Sequence, residues 1–128
     1  MIVLVSTAGG NFAIDLEAGE LEPAEAFTPP TPPKVNLPRV VAAAKTGATI
    51  LVAVDARPPL LVSHDAGSTW RESGRGLPPG RAVAVSDASP DSMVFAARNR
   101  LYLSRDGGVF WEAIPVELPE IEALALTT

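Results

Sequence analysis

One octapeptide occurs twice in this chain. Ser63-His64-Asp65-Ala66-Gly67-Ser68-Thr69-Trp70 returns as Ser104-Arg105-Asp106-Gly107-Gly108-Val109-Phe110-Trp111, with Ser, Asp, Gly and Trp each repeated 41 residues on. Each copy follows an apolar run, Leu60–Val62 or Leu101–Leu103, that reads as a strand. A short carboxylate accepts hydrogen bonds from backbone N–H groups two or three residues further on, and glycine takes positive φ at little steric cost. Asp and Gly together therefore predict a tight turn, after which Trp begins the returning strand. On this reading Asp65 and Asp106 staple hairpins; they are not catalytic acids or metal ligands.

A second marker carries the same period. Leu37-Pro38, Leu77-Pro78 and Leu118-Pro119 are spaced 40 and then 41 residues apart, and each precedes an apolar run: Val40–Ala44, Ala82–Val85 and Ile121–Leu126. A weaker third copy of the turn aligns Phe12–Gly19 with Leu60–Gly67, putting Asp15 at the Ser position and Glu17 at the Asp position, with Gly19 retained. Glu22 stands where Trp would be, and the longer Glu17 carboxylate predicts a looser turn.

Strands are predicted at Ile2–Ser6, Asn11–Asp15 and Glu20–Glu22 in the first unit. The second unit has Val40–Ala44, Thr49–Val54, Leu60–Val62 and Thr69–Arg71. The third has Ala82–Val85, Met93–Ala97, Leu101–Leu103 and Val109–Ala113. Four short antiparallel strands per repeat make a propeller blade, and no helix is expected. The chain divides into 1–36 (strands two to four of a blade plus a Pro-rich connector), a blade at 37–78, a blade at 79–119, and 120–128 as a lone first strand. The connector, Ala24–Lys34, is dense in proline and reads as a stiff extended link; docking to a polyproline-binding module is the alternative.

The octapeptide resembles the Asp-box (S-x-D-x-G-x-T-W) of the BNR-repeat families, found in sialidases, sortilin-type receptors and photosystem assembly factors. The resemblance implies an all-β propeller with Ser63, Asp65, Gly67, Trp70, Ser104, Asp106, Gly108, Trp111, Glu17 and Gly19 as structural turn residues on the outer rim, away from any site. The chain ends are complementary, because the first unit lacks its innermost strand and 121–126 supplies one. Three blades fall short of the roughly four to eight that close a propeller. The prediction is a homodimer in which each chain donates 121–126 to the split blade of its partner, closing a six-bladed ring. A nine-bladed trimer and a fragment of a longer propeller are the other closures.

Composition narrows the function. A net charge of −5 argues against general nucleic-acid or anionic-membrane binding, and zero cysteines exclude disulfide and thiol chemistry. Met1–Ser6 lacks the basic start of a signal peptide and no apolar run approaches the roughly 20 residues of a membrane span, so a cytoplasmic location is expected. The lone His64 at a turn apex has no second metal-binding neighbour in sequence, and no phosphate-binding glycine loop is present, so neither metal nor cofactor is expected.

The arginines are the candidate ligand-binding residues. Arg57, Arg98 and Arg100 lie in loops joining second to third strands, and Arg71 and Arg81, with Arg75 and Arg39, lie in or beside inter-blade loops. In a propeller these loops share the face around the channel mouth, while Glu17, Asp65, Asp106, Asp87 and Asp91 fall on the other face. Guanidinium groups so gathered suit a carboxylate, phosphate or acidic glycan. The expected function is a non-catalytic binding or scaffold module. The alternatives are a sialidase-type glycosidase, for which Tyr102 is the sole tyrosine, and an assembly factor for a larger complex.

Overall fold

The computed structural model describes residues 1–127, which form twelve strands and their connecting segments with no helix among them. The first sheet is ordered β12-β1-β2-β3, from β1 (Ile2–Thr7), β2 (Gly10–Asp15), β3 (Glu20–Pro23) and β12 (Ile121–Thr127). The second runs β4 (Val40–Thr46), β5 (Thr49–Val54), β6 (Leu60–Ser63), β7 (Arg71–Ser73) in sequence order. The third runs likewise through β8 (Ala82–Val85), β9 (Met93–Ala96), β10 (Leu101–Ser104) and β11 (Glu112–Ala113). No helix is long and apolar enough to cross a membrane.

The period-2 pattern of the sequence becomes sidedness. In β1, Val3 and Val5 are fully buried and face Ile14 and Phe12 on one side and Leu126 and Leu124 on the other, while Ile2, Leu4 and Ser6 on the opposite face are half-buried. β5 differs, with all six residues buried. It is covered twice: Leu51 and Ala53 pack on Val83 and Phe95 of the third blade, and Ile50, Val52 and Val54 meet Val35 and Leu37 of the connector. A strand sealed on both faces needs no polar alternation, which is why Ile50–Val54 reads as a continuous apolar run.

The three innermost strands set the blade order. β8 packs between β4 and β12, so the third blade is the middle of an arc with the second blade at one end and the first at the other. One core joins the second and third blades (Leu60, Val62, Met93, Phe95), and another joins the third and first (Val94, Leu101, Val5, Ile121). Each such large side chain removed from water contributes about 1.5–3 kcal/mol.

Two strands start later than the sequence predicts, β7 displaced by two residues at the same length and β11 cut to two residues. β7 begins at Arg71 and β11 at Glu112, because the N–H groups of Thr69 and Phe110 are already bonded to the turn carboxylates and are withdrawn from the ladder. The C-terminal strand takes the innermost place expected of it, but in its own chain: Val3 faces Leu126 and Val5 faces Leu124. Residues 24–39 make this possible by running back from the first blade to the second. On the way Pro29–Pro32 line a central cavity of about 480 Å³ between β4, β8 and β12.

Candidate functional site

The two octapeptides form the same turn. Ser63 Oγ donates to Asp65 Oδ1 at 2.8 Å and accepts Gly67 N–H at 2.8 Å; Ser104 Oγ donates to Asp106 Oδ1 at 2.8 Å and accepts Gly108 N–H at 2.9 Å. Gly67 and Gly108 have φ of 93° and 90°, a region that disfavours any side chain. The Thr69 hydroxyl, then its N–H and the Ser63 hydroxyl, hold the Asp65 carboxyl down to about 2. The Phe110 N–H is the main cause that lowers Asp106. In the first blade the carboxylate that closes the turn is Asp15, at the Ser position: its Oδ1 accepts Glu17 and Ala18 N–H at 3.0 and 3.1 Å. Glu17, the residue aligned with Asp, reaches instead to the N-terminal ammonium at 2.7 Å. A side chain one carbon longer overshoots the local N–H groups, and the shorter Asp15 takes over.

His64 links two of these turns. Its Nε2 lies 3.3 Å from Gly107 O and its Nδ1 lies 3.4 Å from Thr49 Oγ1, so the ring bridges the second and third blades at the rim.

At the opposite ends of the strands, three of the five candidate arginines converge. Arg98 and Arg100 share the four-residue turn between β9 and β10, closed by Ala97 N–H to Arg100 O at 2.9 Å. That turn is tied to the neighbouring blade by Ile121 N–H to Arg98 O at 2.7 Å. Arg81 enters from the loop before β8, fixed by its own N–H to Ala96 O at 2.7 Å. Together they line a pocket of about 530 Å³ with Pro78, Pro79, Asn99 and Tyr102. Such a volume suits a small ligand or a short peptide segment.

The pocket is cationic. Arg81 pairs with Glu120, both side chains being well exposed, so the pair contributes little to stability and leaves the guanidinium exchangeable. Arg98 and Arg100 make no ion pair among the described residues. Tyr102 is half-buried, with its ring 5.8 Å from Phe95, and forms the aromatic part of the lining. The lining holds no Asp or Glu. That is a composition for holding an anion; an acid–base pair for glycoside cleavage needs two carboxyl groups.

The other two arginines lie apart. Arg57 is exposed in the loop between β5 and β6 and is absent from the pocket lining. Arg71 belongs to the opposite rim, where Nη2 donates to Gly107 O at 3.2 Å. It follows the turn directly in sequence, so it stays at the turn end of its blade. Tyr102, Asn99 and the Pro78-Pro79 pair were not singled out as pocket residues by sequence. The one available signal was the Leu-Pro marker, which reports the period and says nothing about a lining.

No family model and no curated protein matches the chain. Among solved structures, one of YCF48 bound to a D1 peptide matches with a TM-score of 0.54 and 18% identity, over 93% of this chain and 37% of that one. The likeness is one of fold: the three sheets are blades of the β-propeller type. This chain spans well under half the length of that neighbour.

Proposed function

We propose that the chain is a non-catalytic Asp-box propeller module that binds an anionic segment of a partner at the Arg81–Arg98–Arg100 pocket. The observation that carries this reading is the placement of Arg98 and Arg100 in one backbone-locked turn facing Arg81, over a Tyr102 lining free of carboxylates. Planar guanidinium groups donate bidentately to carboxylates, and the fixed backbone brings three of them to one pocket. On a chain of net charge −5, this local cationic spot directs an acidic ligand to one place. The neighbour YCF48 was solved with a peptide bound, which supports a peptide over a free sugar as the ligand class.

The test uses the full chain with a fluorescein-labelled hexaglutamate peptide and, separately, sialyllactose. Wild type is expected to bind the peptide with an affinity that falls as salt rises. Arg98→Ala with Arg100→Ala should weaken it at least tenfold. Unchanged binding by that variant removes the pocket, and tighter binding of sialyllactose than of the peptide redirects the ligand class to acidic glycans.

The module is further proposed to assemble as a six-bladed homodimer by exchange of 121–126. Three blades leave the arc open between β4 and β12, and the outward face of the first blade (Ile2, Leu4, Ala13) is half-buried, the state of a face awaiting a neighbour. Ring closure requires the connector to release the outer face of the second blade, where Val35 and Leu37 now sit.

A further inference from the structure

The two octapeptides differ at four positions, and one of these differences, Thr69 against Phe110, works against the fold. In the second blade Thr69 serves Asp65 twice, N–H to Oδ1 at 2.9 Å and hydroxyl to Oδ2 at 2.5 Å. In the third blade the equivalent residue is Phe110, whose N–H reaches Asp106 Oδ1 at 3.0 Å and whose side chain has nothing to donate. The ring is 77% exposed and its neighbour Val109 is 55% exposed, the two most exposed large apolar side chains among the described residues. A charge-assisted hydrogen bond is forgone and an aromatic ring is left in water. The second blade shows that the same turn closes well with Thr, so packing within the chain does not account for Phe110.

What lies beside it is suited to a partner. Between Val109 and the second blade runs a groove of about 230 Å³ walled by Arg71, Glu72 and Arg75. The bond from Arg71 to Gly107 O holds its guanidinium over the turn. β7, which carries Arg71, is the outer edge of its sheet and pairs only with β6. The groove thus combines an open strand edge, an adjacent apolar side chain and two arginines against one glutamate, while the Asp106 carboxylate beside it is turned into the N–H groups of Val109 and Phe110.

We propose that this rim is a docking surface for an extended, acidic segment of a partner protein. The segment adds as a strand to the free edge of β7, sets an apolar side chain on Val109 and Phe110, and places a carboxylate on Arg71 or Arg75. Main-chain pairing at a sheet edge supplies affinity and the side chains supply selection. The surface lies at the other end of β10 from Arg98 and Arg100, so it is a second site, independent of the pocket.

The chain carries one segment of this pattern itself, Glu20-Leu21-Glu22 in the exposed edge strand β3, which makes a second copy the competing occupant. The experiment titrates full-length protein with a labelled Glu-Leu-Glu-Val-Glu-Leu peptide and with its Lys-for-Glu counterpart, alongside solution mass. The expected result is binding of the acidic peptide only, with newly protected amides at 71–73 in hydrogen exchange. In the Arg98→Ala, Arg100→Ala background, which removes the pocket's own hold on an acidic peptide, Phe110→Thr should cut the affinity at least tenfold while raising the thermal midpoint. Arg75→Gln should weaken binding several-fold, and Arg98→Ala with Arg100→Ala should leave the 71–73 protection unchanged. Equal binding by Phe110→Thr, equal binding of the lysine peptide, or a loss of self-association on Phe110→Thr would overturn the proposal; the last would assign the surface to a second copy.

Discussion

Trp111 Nε1 donates to Ser73 Oγ at 2.8 Å, a bond between residues 38 positions apart that ties the second blade to the third. The same hydroxyl donates to Gly108 O, so the buried Ser73 is satisfied on both sides, and the Trp111 ring stands edge-on to Phe95 at 6.2 Å. Ser73→Ala strands an indole N–H and a carbonyl at once and should cost about 1–3 kcal/mol. Trp111→Phe keeps a ring there and loses a single donor, for a smaller cost. Urea unfolding with an unchanged m-value is the check; equal midpoints for wild type and Ser73→Ala would show the bond to be dispensable.

The acid limb of stability should report the turn. Asp65 is held at about 2, below its ordinary 3.8, so its charged form is favoured by folding. Its contribution is complete above the ordinary value and is lost as pH falls through about 2. The thermal midpoint of wild type should fall between about pH 4 and pH 2. Asp65→Asn should be lower at neutral pH and flatter over that window, and Phe110→Thr, which gives Asp106 a hydroxyl donor, should steepen it.

Gly80 lies between the core and the pocket. A Cβ there would collide with Phe95 Cε2 and lie 3.3 Å from Ala53 Cβ. Phe95 is fully buried and its ring touches the Tyr102 side of the pocket, so Gly80→Ala must displace both. Overpacking of this kind costs about 1–3 kcal/mol, and hexaglutamate binding should weaken with it. Adding Phe95→Leu should recover part of the stability, because it removes the atoms in conflict.

The blades were legible in the sequence because their markers are local. Asp65 and Gly67 act within four residues of each other, and spacing alone reveals them. Asp15 taking over from Glu17 was not legible: alignment assigns positions, while side-chain length decides which carboxyl reaches the N–H groups. The gathering of Arg81, Arg98 and Arg100 followed from topology, since inter-blade and second-to-third loops share one end of the sheets. Arg71 was assigned to that end as well, yet a residue directly after a turn stays with the turn, and its guanidinium bonds Gly107 on the opposite rim. The second role of the connector, covering β5 through Val35 and Leu37, leaves a mark only in the unbroken apolar run of Ile50–Val54.

That connector also decides between closure in one chain and exchange between two. Residues 24–39 must return from the first blade, at one end of the arc, to the second blade at the other, crossing the central cavity at Pro29–Pro32. The links from second to third blade and from third to first bridge adjacent blades and are about half as long. Deleting residues 28–34 leaves nine residues in place of sixteen, at most about 30 Å of chain, which favours joining blades placed side by side over the return across the arc. β1–β3 would then sit against their own second blade, out of reach of their own β12, and only the β12 of a second copy could complete them. Short hinges favour strand exchange for this reason. The deletion variant should therefore run at twice the monomer mass in light scattering and fall apart when it is also truncated before Ile121. A folded variant of monomer mass would show that the first blade closes without the long return, and the six-bladed ring would fail with it.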